Sequence, residues 1–231
     1  MPVSRDRTAD GALPYVPARG GLPALRRAAA DCRGCSLYAD ATQTVFGAGR
    51  ARARLMLVGE QPGDQEDKAG EPFVGPAGHL LRKVLDEVGI DEEEVYFTNA
   101  VKHFKFAPIT EGRKRRIHKA PNLSELTACR PWLDAEVRRV NPELLVALGA
   151  TAGKSLLGRS FKVTEARGTL LPLAAGRELP LNVEGADSAD SDGHRHCLAT
   201  VHPSAVLRAK DRHEAYAGLV SDLRVAARFL G

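Results

Sequence analysis

The chain has 231 residues, 43% of them hydrophobic and 27% charged, with a net charge of +4. That is enough apolar material for one large core or two small ones, and the charge is too modest to name a partner by itself. No apolar run is long enough to span a bilayer, and the first twenty residues lack the hydrophobic segment of a signal peptide, so a cytosolic protein with no membrane partner is expected.

Residues 1–20 are polar and rich in Pro, Gly and Arg and are expected to form a flexible tail, with a single domain over 21–231. Pro23 suits the first turn of a helix whose apolar face is Leu22, Leu25, Ala28 and Ala29. It leads into Cys32-Arg33-Gly34-Cys35. In a reducing compartment the four cysteines favour metal or cluster binding over disulfides. Alone, this C-x-x-C is open between zinc, an iron–sulfur cluster, a redox pair and chance.

Leu55 to Val58 is a continuous apolar run, as expected of a strand covered on both faces. It ends in Gly59-Glu60-Gln61-Pro62-Gly63-Asp64-Gln65-Glu66-Asp67, at the place where open α/β sheets hold ligands. An ordinary polar turn is the alternative. Glu71 to Gly78 presents Phe73 among small residues, either as core or as a platform for a flat ligand. A helix carrying Leu80, Leu81, Val84, Leu85 and Val88 follows.

Tyr96 to Val101 reads as a buried strand and includes Asn99. Beyond it lie Lys102, Lys105, Arg113, Lys114, Arg115, Arg116 and Lys119, with one acid, Glu111, and two histidines, His103 and His118. Seven of the 33 basic residues in so short a stretch predict a local anion site, with a merely solvated loop as the alternative. Asn122 and Glu125 fit a capping box, and the helix they start turns Leu126, Cys129, Leu133, Val137 and Val140 to one face. Glu143–Leu148 is a further buried strand and Thr151–Leu157 a short helix. Two strands, 168–173 and 196–201, flank an acidic loop at about 176–195 that is poorly suited to nucleic acid. His202-Pro203-Ser204 and a last helix from about Asp211 to Leu230 complete the pattern of one α/β domain.

GEQPGDQED after a strand, PFVGPAG before a helix, FTNAVK ending a strand, CRPWLDAEV and VHPSAVLR, taken in order, resemble the uracil-DNA glycosylase superfamily. The nearest branch is its iron–sulfur family 4, and KRRIHK resembles the UdgX group within it. The resemblance implies a mostly parallel four-stranded sheet flanked by helices in a three-layer α/β/α sandwich, with DNA across the strand ends. It also implies the site. Asn99 would read the O4 and N3–H edge of uracil, Phe73 would stack on the base, and His202 would donate to O2, where the leaving charge collects. Gly59 and Asp64 belong to the substrate-binding turn. Gln61 takes the water-holding position, where an amide cannot act as a general base. His118 is the implied nucleophile, forming a bond to the abasic sugar. A nucleophile on a loop needs an ordered carrier, and from the residues themselves, not from the resemblance, Glu60 is expected to orient His118 and Arg115 and Arg116 to hold flanking phosphates.

For the metal, the resemblance implies a structural 4Fe-4S cluster on Cys32, Cys35 and Cys129. His103 stands where the family has its remaining cysteine and is the expected fourth ligand; Cys197 is the rival, and zinc suits the same residues. The expected partner is uracil-containing DNA, single-stranded by preference because no base pair must then be broken. A monomer is expected. Two other functions stay open: a hydrolytic glycosylase that turns over, and a non-catalytic, metal-stabilised nucleic-acid-binding protein.

Overall fold

The computed structural model describes residues 11–107, 116–173 and 195–231. Arg115 and the acidic loop anticipated near 176–195 lie outside these residues, apart from residue 195 itself. Five-residue strands β2 (Leu55–Gly59), β3 (Val95–Asn99) and β6 (Leu144–Leu148) are buried along their whole length. With β8 (Arg195–Thr200) they form a parallel core in the order β3-β2-β6-β8. The expected four parallel strands are this core, and two short antiparallel edge strands widen the sheet to six. Short β1 (Ala48–Gly49) pairs antiparallel with β3, and β7 (Leu170–Leu173) pairs antiparallel with β8.

Alternation along each strand sends side chains to opposite layers. Met56, Val58, Tyr96, Leu145, Ala147, Cys197 and Ala199 pack on one face with residues of α1 (Leu22–Ala29), α4 (Leu123–Val140) and α5 (Gly149–Leu157). Leu55, Leu57, Val95, Phe97, Leu144, Val146 and Leu198 meet α3 (Pro76–Glu87), α7 (Pro203–Arg208) and α8 (Arg212–Leu230) on the other. This is the three-layer α/β/α sandwich. Helices α2 (Asp64–Ala69) and α6 (Val163–Ala166) are single short turns between strands.

Local signals explain the helix ends. Asn122 accepts the N–H of Glu125 and Glu125 accepts that of Asn122, the reciprocal box that starts α4. Asp211 caps α8 in the same sense by accepting from Glu214. Residues 11–20 depart from the expected tail. Ala12 is buried and its N–H donates to Ala128 O at 2.7 Å, while Arg139 donates to Gly20 O at 2.6 Å. The start of the described chain is therefore strapped onto α4. A two-strand ribbon, β4 (Phe106–Ala107) with β5 (Ile117–His118), stands apart from the main sheet and pairs Phe106 with His118.

Candidate active site

The parallel strands end at a cavity of about 540 Å³ lined by Glu60, Phe73, Asn99, His118, Gly149, His202 and Arg208, among others. Asn99 is the last residue of β3 and lies opposite Gly59, the last of β2. A Cβ on Gly59 would fall 2.3 Å from Asn99 Oδ1 and 2.8 Å from Phe73 Cζ. Only glycine lets the amide and the aromatic ring share this space. Phe73 is held in the left-handed region, φ 58°, a strained state for a residue with a side chain. Its carbonyl accepts from Arg82 and lies against Gly78 in the first turn of α3, where a Cβ would come within 1.7 Å. Glu66 clips the two loops together by accepting the N–H of Gly63 at 3.1 Å and of Gly75 at 2.8 Å.

His202 is the N-cap of α7. Its Nδ1 accepts the N–H of Ser204 at 3.1 Å, and because that N–H can only donate, the ring proton sits on Nε2. Burial, and then the positive Arg208 and neighbouring His118, lower its pKa to about 4. His202 is thus a neutral N–H donor near pH 7, with its ring stacked toward Phe73 at 6.4 Å.

His118 lies across the cavity on β5, about half exposed, with Nε2 3.6 Å from Glu60 Oε1. Burial lowers its pKa; Glu60 opposes that shift and Arg208 adds to it. The carboxylate of Glu60 is itself fixed by the Thr151 hydroxyl, which donates to Oε2.

Three expected site residues do other work. The amide of Gln61 is not offered to water. Both its N–H bonds go to carbonyls of the ribbon, Lys105 O at 3.1 Å and Lys119 O at 3.2 Å, and its oxygen accepts the Lys105 N–H at 3.2 Å. Gln61 is a clasp for the segment that carries His118. Arg116 is not extended toward phosphates: it donates to Asp64 Oδ1 at 2.5 Å and Asp67 Oδ2 at 2.7 Å, and lies over the rings of Phe104 and Phe106. Asp64 is its partner, also paired with Lys68, so Asp64 braces the ribbon. The basic cluster shrinks too, because Lys102 pairs with Glu136 and Lys105 with Glu125.

Arg208 is one cavity residue that the sequence does not mark. It stood inside VHPSAVLR, but a final helical arginine carries no mark of facing a cavity. Glu66 and Thr151 were also passed over, the first as one acid among several and the second as an ordinary helix residue.

Cys32 and Cys129 are buried and Cys35 is partly so. The three interact: burial pushes the Cys129 thiol up to about 12, with Cys35 and Cys32 adding to the shift, and burial likewise raises Cys35. Trp132 Nε1 donates to Cys32 Sγ and the Lys102 N–H to Cys129 Sγ, both at 3.2 Å. His103 is buried with Nδ1 bare. Its Nε2 lies 2.9 Å from Thr44 Oγ1, whose own proton goes to Ala29 O. The ring proton is therefore on Nε2 and the Nδ1 lone pair is available. Cys197 instead lies in β8, its thiol pushed up to about 12 by burial. Three thiols and one imidazole lone pair fit an iron–sulfur cluster. Among the described residues no three His, Cys, Asp or Glu side chains gather closely enough to grip a single ion.

A family model described as the uracil DNA glycosylase superfamily matches residues 46–224. The chain is 32% identical over 200 residues to a type-4 uracil-DNA glycosylase of Thermotoga maritima, covering 86% of this chain and 89% of that one. It is similar to proteins of the same description from Sulfurisphaera tokodaii, 35% identical with 64% of each chain covered, and Pyrobaculum aerophilum, 32% identical with 81% and 85% covered.

Proposed function

The chain belongs to the uracil DNA glycosylase superfamily, and we propose that it excises uracil from DNA and then bonds to the abasic sugar through His118. The observation that carries the reading is that His118, Glu60, Asn99, Phe73 and His202 line one cavity at the strand ends. A base turned out of the stack enters there, as enzymes acting on a base require. Asn99 offers both an amide donor and an acceptor to the uracil edge, and cytosine's amino group mismatches them. As the C1′–N1 bond breaks, the bonding pair leaves with uracil, and the neutral His202 Nε2–H stabilises the charge gathering at O2. The sugar becomes oxocarbenium-like. One nitrogen of the neutral His118 ring supplies the pair for a new N–C1′ bond while the other ring N–H loses its proton, with Glu60 as the nearest acceptor. One protein is consumed for each uracil.

A 4Fe-4S cluster on Cys32, Cys35, Cys129 and His103 would tie the C-x-x-C loop to α4 and to the turn after β3. Its chemistry there is structural. Single-stranded DNA is the expected substrate, because it spares the cost of opening a pair, a few kcal/mol, and the working form is a monomer.

A hydrolytic, multiple-turnover glycosylase is the second reading. Glu60 favours it, since a carboxylate in the cavity can activate water where the clasped Gln61 cannot. The test of excision itself is to measure free uracil from a single-stranded oligonucleotide bearing one uracil. Release of one uracil per protein or fewer supports the proposal, many per protein support hydrolysis, and none removes the glycosylase reading.

A further inference from the structure

Lys102 is a fully enclosed charge, with its side chain 1% exposed beside Glu136 at 0%. Its ammonium has three protons and three acceptors: Glu136 Oε2 at 2.5 Å, Thr98 Oγ1 at 2.6 Å and the main-chain oxygen of Asn99 at 2.7 Å. Glu136 is equally occupied, accepting from the Gly47 N–H, the Tyr96 hydroxyl and the Thr98 hydroxyl. A buried ion pair is seldom retained for stability, because desolvation offsets the attraction and apolar residues of the same volume often serve as well. What such a pair fixes is geometry.

The geometry here joins two sites. Asn99 is where the ladder between β2 and β3 stops, and its carbonyl is capped by the Lys102 ammonium. The main chain of Lys102 faces the other way: its N–H donates to Cys129 Sγ at 3.2 Å, its oxygen accepts from the Val45 N–H at 2.8 Å, and the next residue is His103. One residue thus touches the thiol of an expected cluster ligand with its backbone and the base-reading residue with its side chain.

We propose that Lys102 is a positioning residue that couples the cysteine site to base recognition by Asn99. When Cys129 is a thiolate on a cluster, the N–H···S bond becomes charge-assisted and strengthens. That bond holds the 99–103 turn, and the ammonium transmits the hold to Asn99. Without the cluster the turn loosens and the amide loses its register against the base. The functional arm of this proposal rests on the uracil reading; the structural arm does not.

The test is hydrogen exchange on the iron-loaded protein before and after chelation, read at Ala100 and Val101, whose N–H groups donate to Gly59 O and Glu60 O. Chelation is expected to speed their exchange roughly tenfold while β6 and β8 stay protected. A Lys102→Met/Glu136→Gln variant removes the charge pair together and leaves Glu136's other donors satisfied. It should bind iron as the wild type does, yet exchange fast at these amides already when loaded. It should also show a preference for uracil over cytosine lowered about tenfold, a readout that mere loosening elsewhere would not move. Unchanged protection after iron loss overturns the coupling, as does uniform loss across the whole sheet or a variant with wild-type exchange. If the wild type releases no uracil, the glycosylase reading fails, and exchange at Ala100 and Val101 still decides the coupling.

Discussion

Glu60 Oε1 stands 3.6 Å from His118 Nε2, near enough for charge to act and longer than a formed hydrogen bond. The carboxylate and the ring approach from different parts of the chain, Glu60 from the turn after β2 and His118 from the outlying ribbon. Their pairing is what a nucleophilic imidazole needs: a negative neighbour to receive its proton.

The pH dependence of capture follows with a definite sign. An imidazole attacks only when neutral, and the pKa of His118 lies below the ordinary 6.5. Capture should therefore rise as pH increases through that lowered value and level off near neutrality. Glu60 opposes the lowering, so Glu60→Gln moves the acid limb to lower pH. The same change removes the proton acceptor, and the plateau should fall about 10²-fold or more. Adduct formation rates across about pH 5 to 8 separate the two effects.

Arg208 acts in the opposite direction. Its charge lowers both His118 and His202, so Arg208→Gln should raise both and shift the acid limb to higher pH. Because Arg208 is exposed, added salt should shrink the difference between variant and wild type. A limb that does not move with this substitution contradicts the electrostatic role given to Arg208.

The ribbon's braces predict a split between two activities. Arg116→Met keeps an apolar side chain beside Phe104 and Phe106 but leaves Asp67, fully buried, without its cation. The cost is about 3 kcal/mol, felt mainly by the ribbon. Capture by His118 should fall further than uracil release, since Asn99, Phe73 and His202 do not sit on that segment. Parallel measurement of free uracil and of DNA-linked protein checks this.

Much of this arrangement is legible in the sequence. Apolar runs mark β2, β3 and β6, and ordered motifs mark Asn99, Phe73, His118, Glu60 and His202, which the fold brings to one cavity. The edge strands are harder. β1 is two residues long and ends at Gly49 with φ 132°, and β7 is visible as a strand but not as an antiparallel one. Charge misleads for a physical reason: a lysine shows its sign in sequence and hides its partner. Lys102 reads as part of a basic loop because Glu136 lies 34 positions away, and Arg116 reads as a phosphate clamp until Asp64 and Asp67 are seen beside it. The sequence puts Gln61 in the turn after β2, but which way its amide points is a tertiary fact.

Gly59 tolerates no side chain. The Cβ of Gly59→Ala would overlap Asn99 Oδ1 and Phe73 Cζ, forcing one or both aside at about 1–3 kcal/mol. Uracil release should fall by at least about 10²-fold, since reading and stacking are disturbed together. The melting temperature should fall by only several degrees. Near-normal release from this variant would show that the amide and ring are not the base-reading pair.

The fourth ligand can be assigned by iron content. His103→Ala removes the bare Nδ1 and should lower iron per protein and the melting temperature. Cys197→Ala leaves the iron unchanged and costs only the packing of a small buried side chain, about 1 kcal/mol. The reverse pattern would make Cys197 the ligand.

The central claim is covalent capture by His118, and one gel addresses it. Wild-type protein and His118→Ala are each mixed with a labelled single-stranded oligonucleotide carrying one uracil, boiled in detergent and separated. The account predicts a retarded DNA band from the wild type alone, with the variant leaving at most an alkali-sensitive abasic site. An unshifted wild-type lane whose DNA breaks in alkali at the uracil would contradict capture and leave a hydrolytic glycosylase in its place.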